Sequence, residues 1–272
     1  MFFHLTALAA PFVWSWSGLV VCLVLAVLTG QLGITAGYHR LLVHRSFATP
    51  GPVRYFLALC GVLALQTGPL GWCALHRLHH QHPEGEADPH SPHRGFWWAH
   101  LLWFMYTHPD RVGTKWRLRF VPDLARDPGL RFLDRFFLPI NLLVFAALLG
   151  IGYWVGGWPL GLSLLVWGGA VRVVLIWHAT FLVNSATHLW GYRNYTTADD
   201  SRNNWCVAAV AFGEGWHNNH HADPRAARHG HRWFELDTTW MFIRCLEAVG
   251  LAWDVVRPDR RRTAHLTPVP PA

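Results

Sequence analysis

The chain has 272 residues, of which 52% are hydrophobic and only 14% are charged, with 17 Trp, 19 His and a formal net charge of +7. Soluble domains average about 25% charged residues. The composition therefore argues against a disordered chain, a disulfide scaffold and a typical soluble enzyme, and it favours a membrane protein with a histidine-dependent site.

Four apolar stretches come near the length of about 20 residues that a membrane-spanning helix needs. They run from Phe12 to Tyr38, from Val53 to Trp72, from Phe132 to Trp154 and from Trp158 to Thr187. Gly156, Gly157 and Pro159 predict a tight turn between the last two, which therefore form a helical hairpin. Before the first stretch, Phe2 to Phe12 adds a short helix. It lacks a basic n-region and a clear cleavage site, so we expect it to be retained.

Two polar regions, about 39–131 and 188–256, are rich in His, Trp and Arg. We expect one membrane domain over residues 1–256 and a basic, Pro-containing disordered tail over 257–272. Arginine beside apolar spans indicates a cytoplasmic face in contact with lipid headgroups. No basic face interleaved with aromatic residues occurs in a soluble region, so we expect no nucleic-acid partner. The five cysteines show no CxxC pairing and are expected to be small apolar packing residues.

Nine histidines lie at the ends of the apolar stretches and in the last polar region. They are His39, His44, His76, His79, His80, His188, His217, His220 and His221. Residues four apart lie about one turn apart on a helix face. HRLHH and HNNHH therefore each offer three imidazoles to one side, and Asn184 faces the same way as His188. His39 and His44 are five apart, so we expect His44 beyond the helix end, on the turn into Ser46.

Nine imidazoles exceed the ligand set of one ion, which takes about four to six ligands. They suit two ions with four or five nitrogen ligands each. No thiolate joins them, which disfavours structural zinc, whereas imidazole suits iron, copper, zinc and nickel. Imidazole also survives a strong oxidant better than thiolate does. We therefore favour two irons in an all-nitrogen environment, with dioxygen as the co-substrate.

All nine side chains must meet on one side of the membrane. Only one apolar stretch separates His44 from His76, so Val53–Trp72 must not cross the bilayer, and Gln66 makes it a poor span in any case. We expect a buried or re-entrant helix there. The other three stretches, with a short crossing near Phe2–Pro11, give an all-α integral membrane protein. About four transmembrane helices would carry a cytosolic helical cap with a di-iron histidine site.

Five motifs stand in order between about Gly33 and Glu247: HRLLVHRSF, GPLGWCALHRLHH, ADPHSPHRGFWWAH, NSATHLWGYR and FGEGWHNNHH. In this combination the chain resembles the membrane fatty acyl desaturases, and within them the Δ9-type enzymes of cyanobacteria, plants and other bacteria. The resemblance implies oxygen-dependent insertion of a cis double bond into a saturated acyl chain held in a bent tunnel. It implies two non-haem irons held by the nine histidines, with Asn184 reaching one iron through a water. It also implies a bacterial-type inner or cytoplasmic membrane, with the metal site facing the cytosol.

The resemblance places Gln66 and Thr180 where the family's tunnel bends, although ordinary helix packing is the alternative. Carboxylates near the second and third boxes are candidates for orienting the imidazoles, with a surface or capping role as the alternative. They are Glu84, Asp88, Asp199, Glu214 and Asp223. The aromatic run over residues 96–104 is expected to form an interfacial belt rather than to line the tunnel.

The acyl carrier stays open at this point. Animal acyl-CoA desaturases carry an Arg-Asp pair just before the HRxHH box, whereas this chain has Ala74 and Leu75 there. That departure puts CoA recognition in doubt, and an acyl-lipid or an acyl-CoA substrate remains possible. We expect no fused haem or ferredoxin-like domain. The electron donor is therefore expected to be a separate ferredoxin or cytochrome-b type haem protein, docked on the arginine-rich face.

Three other functions compete with desaturation. A hydroxylase or another oxidase of the same superfamily would use the same site, and GEGWHNNHH favours desaturation over it. A histidine-rich membrane metal transporter predicts ligands within the spans, whereas these histidines cluster at or beyond the ends of the apolar stretches. A structural membrane protein would leave the two HxxHH clusters unexplained.

Overall fold

The computed structural model describes residues 1–106, 108, 113–259, 261–267 and 269, and its regular structure there is helical. The described chain pairs as strands only at three isolated bridges. The helices are α1 (Phe2–Ala7), α2 (Trp16–Val43), α3 (Gly51–Leu63), α4 (Pro69–Gln81), α5 (Thr114–Phe120), α6 (Pro128–Arg135), α7 (Phe137–Leu189), α8 (Trp205–Val210), α9 (His217–Ala222) and α10 (Thr238–Ala248). The expected all-α class is therefore confirmed.

Helix α2 carries the first apolar stretch. It begins later than predicted, because Ser15 caps it by accepting a hydrogen bond from the Gly18 amide at 3.0 Å. It also ends later, at Val43, and its second part from Val27 onward is wound as a π-helix. His39 consequently lies on the helix, and His44 is the first residue past its end, as the spacing of the two histidines predicts.

Helix α7 is a hairpin of two arms. The backbone leaves helical geometry at Gly156 and Gly157, where the φ of Gly157 is 68°. A Cβ placed on Gly152 would lie 2.7 Å from the Cα of Gly161, so the two arms turn back and pack closely. The tight turn predicted between the third and fourth apolar stretches is confirmed.

The second apolar stretch forms two helices instead of the single one that we expected. Helix α3 has 13 residues, a length of about 20 Å, which is shorter than the hydrocarbon core of about 30 Å. The chain then breaks at Leu65 and Thr67, both at positive φ, and Pro69 starts α4. Arg172 fixes the break by donating to the last carbonyl of α3, that of Leu63. The chain on both sides of this segment lies at one end of the molecule, where His44 and His76 belong to the same group of ring nitrogens.

Two helical stretches are long and apolar enough to cross a bilayer, Trp16–Val43 and Phe137–Leu189. Only 11% of the most apolar window of Phe137–Leu189 is buried within the protein. Large apolar surfaces of this kind are covered by lipid or by a partner. The bend at Gly157 divides this stretch into its two arms, whereas α1 has only six residues. The four-helix count of the sequence prediction is therefore not established by the fold.

Helices α2 and α3 pack backbone to backbone at the centre of the core. A side chain at Gly33 would overlap the α3 backbone at Cys60 and Gly61.

Cys22, Cys60 and Cys73 are buried, as expected for packing residues. The remaining two, Cys206 and Cys245, are exposed, so the packing interpretation is wrong for them.

The described part of the expected C-terminal tail lies against the body. The guanidinium of Arg262 donates from Nε and Nη2 to the carboxylate of Asp223, at 2.7 and 2.8 Å. The amide of Thr267 donates to Thr196 Oγ1 at 3.0 Å. An ion pair and a backbone contact thus join Arg262 and Thr267 to the rest of the chain, and the disorder expected over 257–272 stays a prediction.

Replacing Gly33 with alanine should lower the melting temperature of the detergent-solubilised protein. The added methyl group forces α3 away from α2, and overpacking typically costs about 1–3 kcal/mol. Gly150→Ala is the matched control, because nothing lies within 4 Å of a Cβ at that helical glycine. Equal melting temperatures for the two variants would contradict the close packing of α2 on α3.

Candidate metal centre

The nine histidines gather in two groups at one end of α2, α4 and α7, beneath α9. In each group the ring nitrogens lie within 4.8 Å of one another. Cluster A comprises His39, His44, His76, His80 and His220. Cluster B comprises His79, His188, His217 and His221. The sequence predicted two groups of four or five nitrogens, and the fold forms groups of that size by drawing on every histidine box.

The Nε2 atoms of the rings point toward one another within each cluster. In cluster A, Nε2 of His220 lies 3.2 Å from that of His39 and 3.1 Å from that of His80. In cluster B, Nε2 of His217 lies 3.1 Å from that of His188. Inward-facing lone pairs at these separations are the arrangement that a shared cation requires.

Four of the rings are oriented from behind by carboxylates. The contacts join Nδ1 of His39 to Glu214 at 2.6 Å, of His79 to Asp88 at 2.8 Å, of His188 to Glu84 at 2.7 Å and of His221 to Asp199 at 2.6 Å. A carboxylate that accepts the Nδ1–H fixes the tautomer in which Nε2 keeps its lone pair for a metal. These contacts are the ones expected of residues that orient metal ligands.

Electrostatics favour a charged Asp199 carboxylate and neutral rings at His76 and His220. Burial opposes the charge of Asp199, but His221 and Ser201 hold the pKa of its carboxyl below its usual value. Burial, and then the neighbouring imidazoles, set the pKa of His76 and of His220 well below the usual value. Neutral imidazole is the form that binds a metal, so His76 and His220 are in the form of ligands at neutral pH.

Two predicted residues stand apart from these contacts. Asp223 follows the last box, yet its carboxylate binds Arg262 of the tail rather than a histidine of either cluster. Asn184 lies one turn before His188 and lines the cavity that also touches His76 and His217. That cavity is otherwise lined mostly by apolar side chains.

Gln66 and Thr180 lie in the same cavity system and bind each other. The Gln66 amide donates to Thr180 Oγ1 at 2.7 Å and accepts from the indole N–H of Trp72 at 2.9 Å. Thr180 and Trp72 line both the cavity under the clusters and the one that adjoins it. These three side chains therefore form a polar constriction beside the histidines.

A third cavity, of about 470 Å³, opens beyond this constriction and is called the vestibule here. Leu75, Trp103 and Phe104 line both the vestibule and the adjoining inner cavity. We expected an interfacial belt from the aromatic run, but Trp103 and Phe104 line the route inward, while Trp97 is exposed. Together the three cavities describe a path from the surface to the metal ligands.

Sequence reasoning missed Arg40 and His229, and it gave His90 little weight. Arg40 is fully buried and pairs with Glu214 at 3.0 Å and with Asp237 at 2.9 Å. His229 is 1% exposed and lies beside Glu214, and His90 lies beside Asp88. The position of Arg40 next to His39 is the one sequence signal that could have indicated its role. The spacing of His229 and His90 gives no such signal.

The donor set fits two transition-metal ions. The Nε2 atom of His44 is buried and has no hydrogen-bond partner, an arrangement that is costly without a ligand. Ring nitrogens without thiolates favour imidazole-binding metals such as iron. Both clusters border the apolar cavity, where His76 and His79 form part of its wall.

Comparison with known proteins agrees with this site. The fatty acid desaturase family model matches residues 14–253. The chain is 46% identical to an sn-1 stearoyl-lipid 9-desaturase of Anabaena variabilis, over 95% of this chain and 92% of the relative. It is 46% identical to an sn-2 palmitoyl-lipid 9-desaturase of a Nostoc strain, over 97% and 90%. It is also 43% identical to an icosanoyl-CoA 5-desaturase of Limnanthes douglasii, over 97% and 72%.

The chain therefore belongs to the fatty acid desaturase family, as its motifs predict. It is an oxidoreductase that acts on fatty acyl chains. The histidine clusters lie at the inner end of the series of cavities that opens at the vestibule.

Asp199→Asn should lower the amount of transition metal bound per chain about tenfold or more, since losing such an outer partner typically costs about 10–100-fold in metal affinity. The asparagine amide has no negative charge to stabilise the Nδ1–H of His221. Asp200→Asn is the neighbouring control, because that side chain is 59% exposed. Metal content after purification and dialysis measures the effect. Equal metal content in both variants would contradict an orienting role for Asp199.

Proposed function

We propose that the protein inserts a cis double bond at the Δ9 position of a saturated acyl chain, with two iron ions held by clusters A and B. The observation that carries this is a pair of all-imidazole clusters on the wall of one apolar cavity. When bound, the two irons supply, with O2, the oxidising power that removes hydrogen from an unactivated methylene. The names of the cyanobacterial relatives support the Δ9 position.

The chain's own residues fix the position of the substrate and exclude water from it. The route under the clusters is lined by apolar groups such as Ile176 and Val183, which exclude water from the reacting carbons. Gln66 and Thr180 narrow it at one place, where the Gln66 amide donates a hydrogen bond to Thr180 Oγ1. The distance from the vestibule to the clusters then determines which methylene is oxidised. Asn184 is the residue that we propose for holding a water beside one ion.

We propose that the acyl chain is esterified in a glycerolipid. The described lining of the vestibule carries two arginines and two carboxylates. Arg117 donates to Asp134 at 2.9 Å, and the Arg94 guanidinium lies 3.3 Å from the ring centroid of Trp98. A CoA group, with its several phosphate charges, is best bound by arginines that no carboxylate neutralises. The balanced, aromatic lining fits an uncharged or zwitterionic headgroup better.

We further propose an integral membrane enzyme whose metal site faces the cytosol. Helix α2 and both arms of α7 would cross the bilayer, and residues 2–13 would add a short fourth crossing. Exposed Trp14, Trp16, Trp154 and Trp158 at the far end suit a membrane interface. The arginines concentrate at the cap end, which supports a cytoplasmic location. Electrons would come from a separate ferredoxin or cytochrome-b type carrier.

Expression in a host without an aerobic desaturase, together with a matching electron donor, should yield a new Δ9 cis-monoene in membrane lipids. His80→Ala and His217→Ala should abolish the product and lower iron content, because each removes a ring nitrogen from one cluster. His265→Ala, in the tail, should do neither. Gas chromatography and mass spectrometry of fatty acid methyl esters, sorted by lipid class, measure the product.

The outcomes of that experiment separate the alternatives. A hydroxylated chain in place of a monoene would assign the protein to the hydroxylases. Full activity of the His80 variant would contradict its role as a ligand. Iron-loaded protein that leaves every acyl chain saturated would overturn the proposed function.

Single cysteines at Pro52 and Gly85 should both react with a membrane-impermeant maleimide from the cytosolic side, because α3 does not span. A cysteine at Trp158, in the hairpin turn, should react only from the opposite side. The background carries Cys206→Ser and Cys245→Ser, since both native thiols are exposed. Labelling of Pro52→Cys and Gly85→Cys from opposite faces would refute this topology.

A further inference from the structure

Two histidines outside the boxes are buried against the metal centre. His90 is 5% exposed and His229 is 1% exposed. Nδ1 of His229 lies 3.3 Å from Glu214 Oε2, and Nδ1 of His90 lies 3.4 Å from Asp88 Oδ1. Both distances are long for a hydrogen bond, and neither nitrogen has a hydrogen-bond partner among the described residues. The carboxylate is therefore the one polar group that each Nδ1 faces closely.

The two contacts are equivalent with respect to the two clusters. Glu214 is the carboxylate that accepts from His39 of cluster A, and Asp88 is the one that accepts from His79 of cluster B. The ring of His229 packs on His220, with centroids 4.5 Å apart, and the ring of His90 packs on His79 at the same separation. Each cluster thus has one buried outer histidine.

The remaining lone pairs of these carboxylates are already engaged. Arg40 donates to Glu214 Oε1 from Nη2 at 3.0 Å. The amide of Glu84 donates to Asp88 Oδ2 at 2.9 Å, and that of His90 donates to Oδ1 at 3.1 Å. Each carboxylate is therefore held from several directions. With the outer imidazole beside it, the carboxylate cannot rotate away from the ligand ring.

We propose that His229 and His90 are positioning residues, one for each metal ion of the centre. Each directs an Nδ1–H at the carboxylate that orients a ligand imidazole, and so limits both the rotation of that carboxylate and the negative charge it places on the ligand. The inference rests on the proposed di-iron function. It assigns a role to two residues that lie outside the histidine boxes and outside clusters A and B.

The other two orienting carboxylates differ in a way that provides a control. Glu84 also has a second histidine nearby, His93, at 3.6 Å, but the His93 side chain is 66% exposed to solvent. Asp199 is held instead by the hydroxyl of Thr197 at 3.0 Å and the amide of Ser201 at 3.0 Å. A substitution at His93 removes the same kind of side chain from the same kind of carboxylate, without burial.

The test compares asparagine with leucine at each position. Asparagine presents an amide N–H near the place of Nδ1, whereas leucine has nearly the same shape and no donor. We expect His229→Leu and His90→Leu to lose iron to a chelator about threefold to tenfold faster than wild type, less than the about 10–100-fold cost of losing a direct outer partner. His229→Asn, His90→Asn and His93→Leu should release iron at close to the wild-type rate.

Mössbauer spectra of the protein loaded with ⁵⁷Fe give the second measurement. His229→Leu should change the signal of one iron and His90→Leu that of the other, an effect that loose packing alone would not divide between the sites. Equal iron release by the Asn and Leu variants, or the same spectral change from both positions, would overturn the proposal. Wild-type protein that binds no iron would instead overturn the proposed function on which it rests.

Discussion

The joint orientation of nine imidazole rings is the constraint on which the rest of the structure depends. Buried rings can face two common centres only if their rotation is fixed, and carboxylates behind them do this for four of the nine rings. Glu84 and Asp88 lie in the loop after α4, Asp199 lies before α8 and Glu214 lies before α9. The loops of the cap are therefore held by the contacts that aim the rings.

The long helices provide rigid supports for this arrangement. Helix α2 carries His39, and the second arm of α7 carries His188. Helix α3 has only 13 residues, and the histidines before and after it lie at the same end of the molecule. The apolar route follows from the same geometry, since it runs between these helices and passes under both clusters before it opens at the vestibule.

Some residues around the site could not be identified from the sequence, because their roles depend on distant partners. Arg40 binds Glu214 across 174 residues of chain. His90 and His229 have no distinctive spacing, and only their burial against Asp88 and Glu214 distinguishes them from histidines on the surface. Asp223 shows the converse: its position beside the last box allowed either a role behind a metal ligand or a surface role, and the fold brings Arg262 to it.

By itself, the sequence determined the helical class, the hairpin at Gly156 and Gly157, the nine clustered histidines and the family. Apolar length, helical period and the chemistry of residue types are local properties that a chain carries without folding. Only the tertiary structure decided which histidines share a cluster, which carboxylate stands behind which ring, and that the stretch from Val53 to Trp72 breaks into two helices. Those outcomes depend on contacts between segments far apart in sequence, and no local pattern encodes which segments will meet.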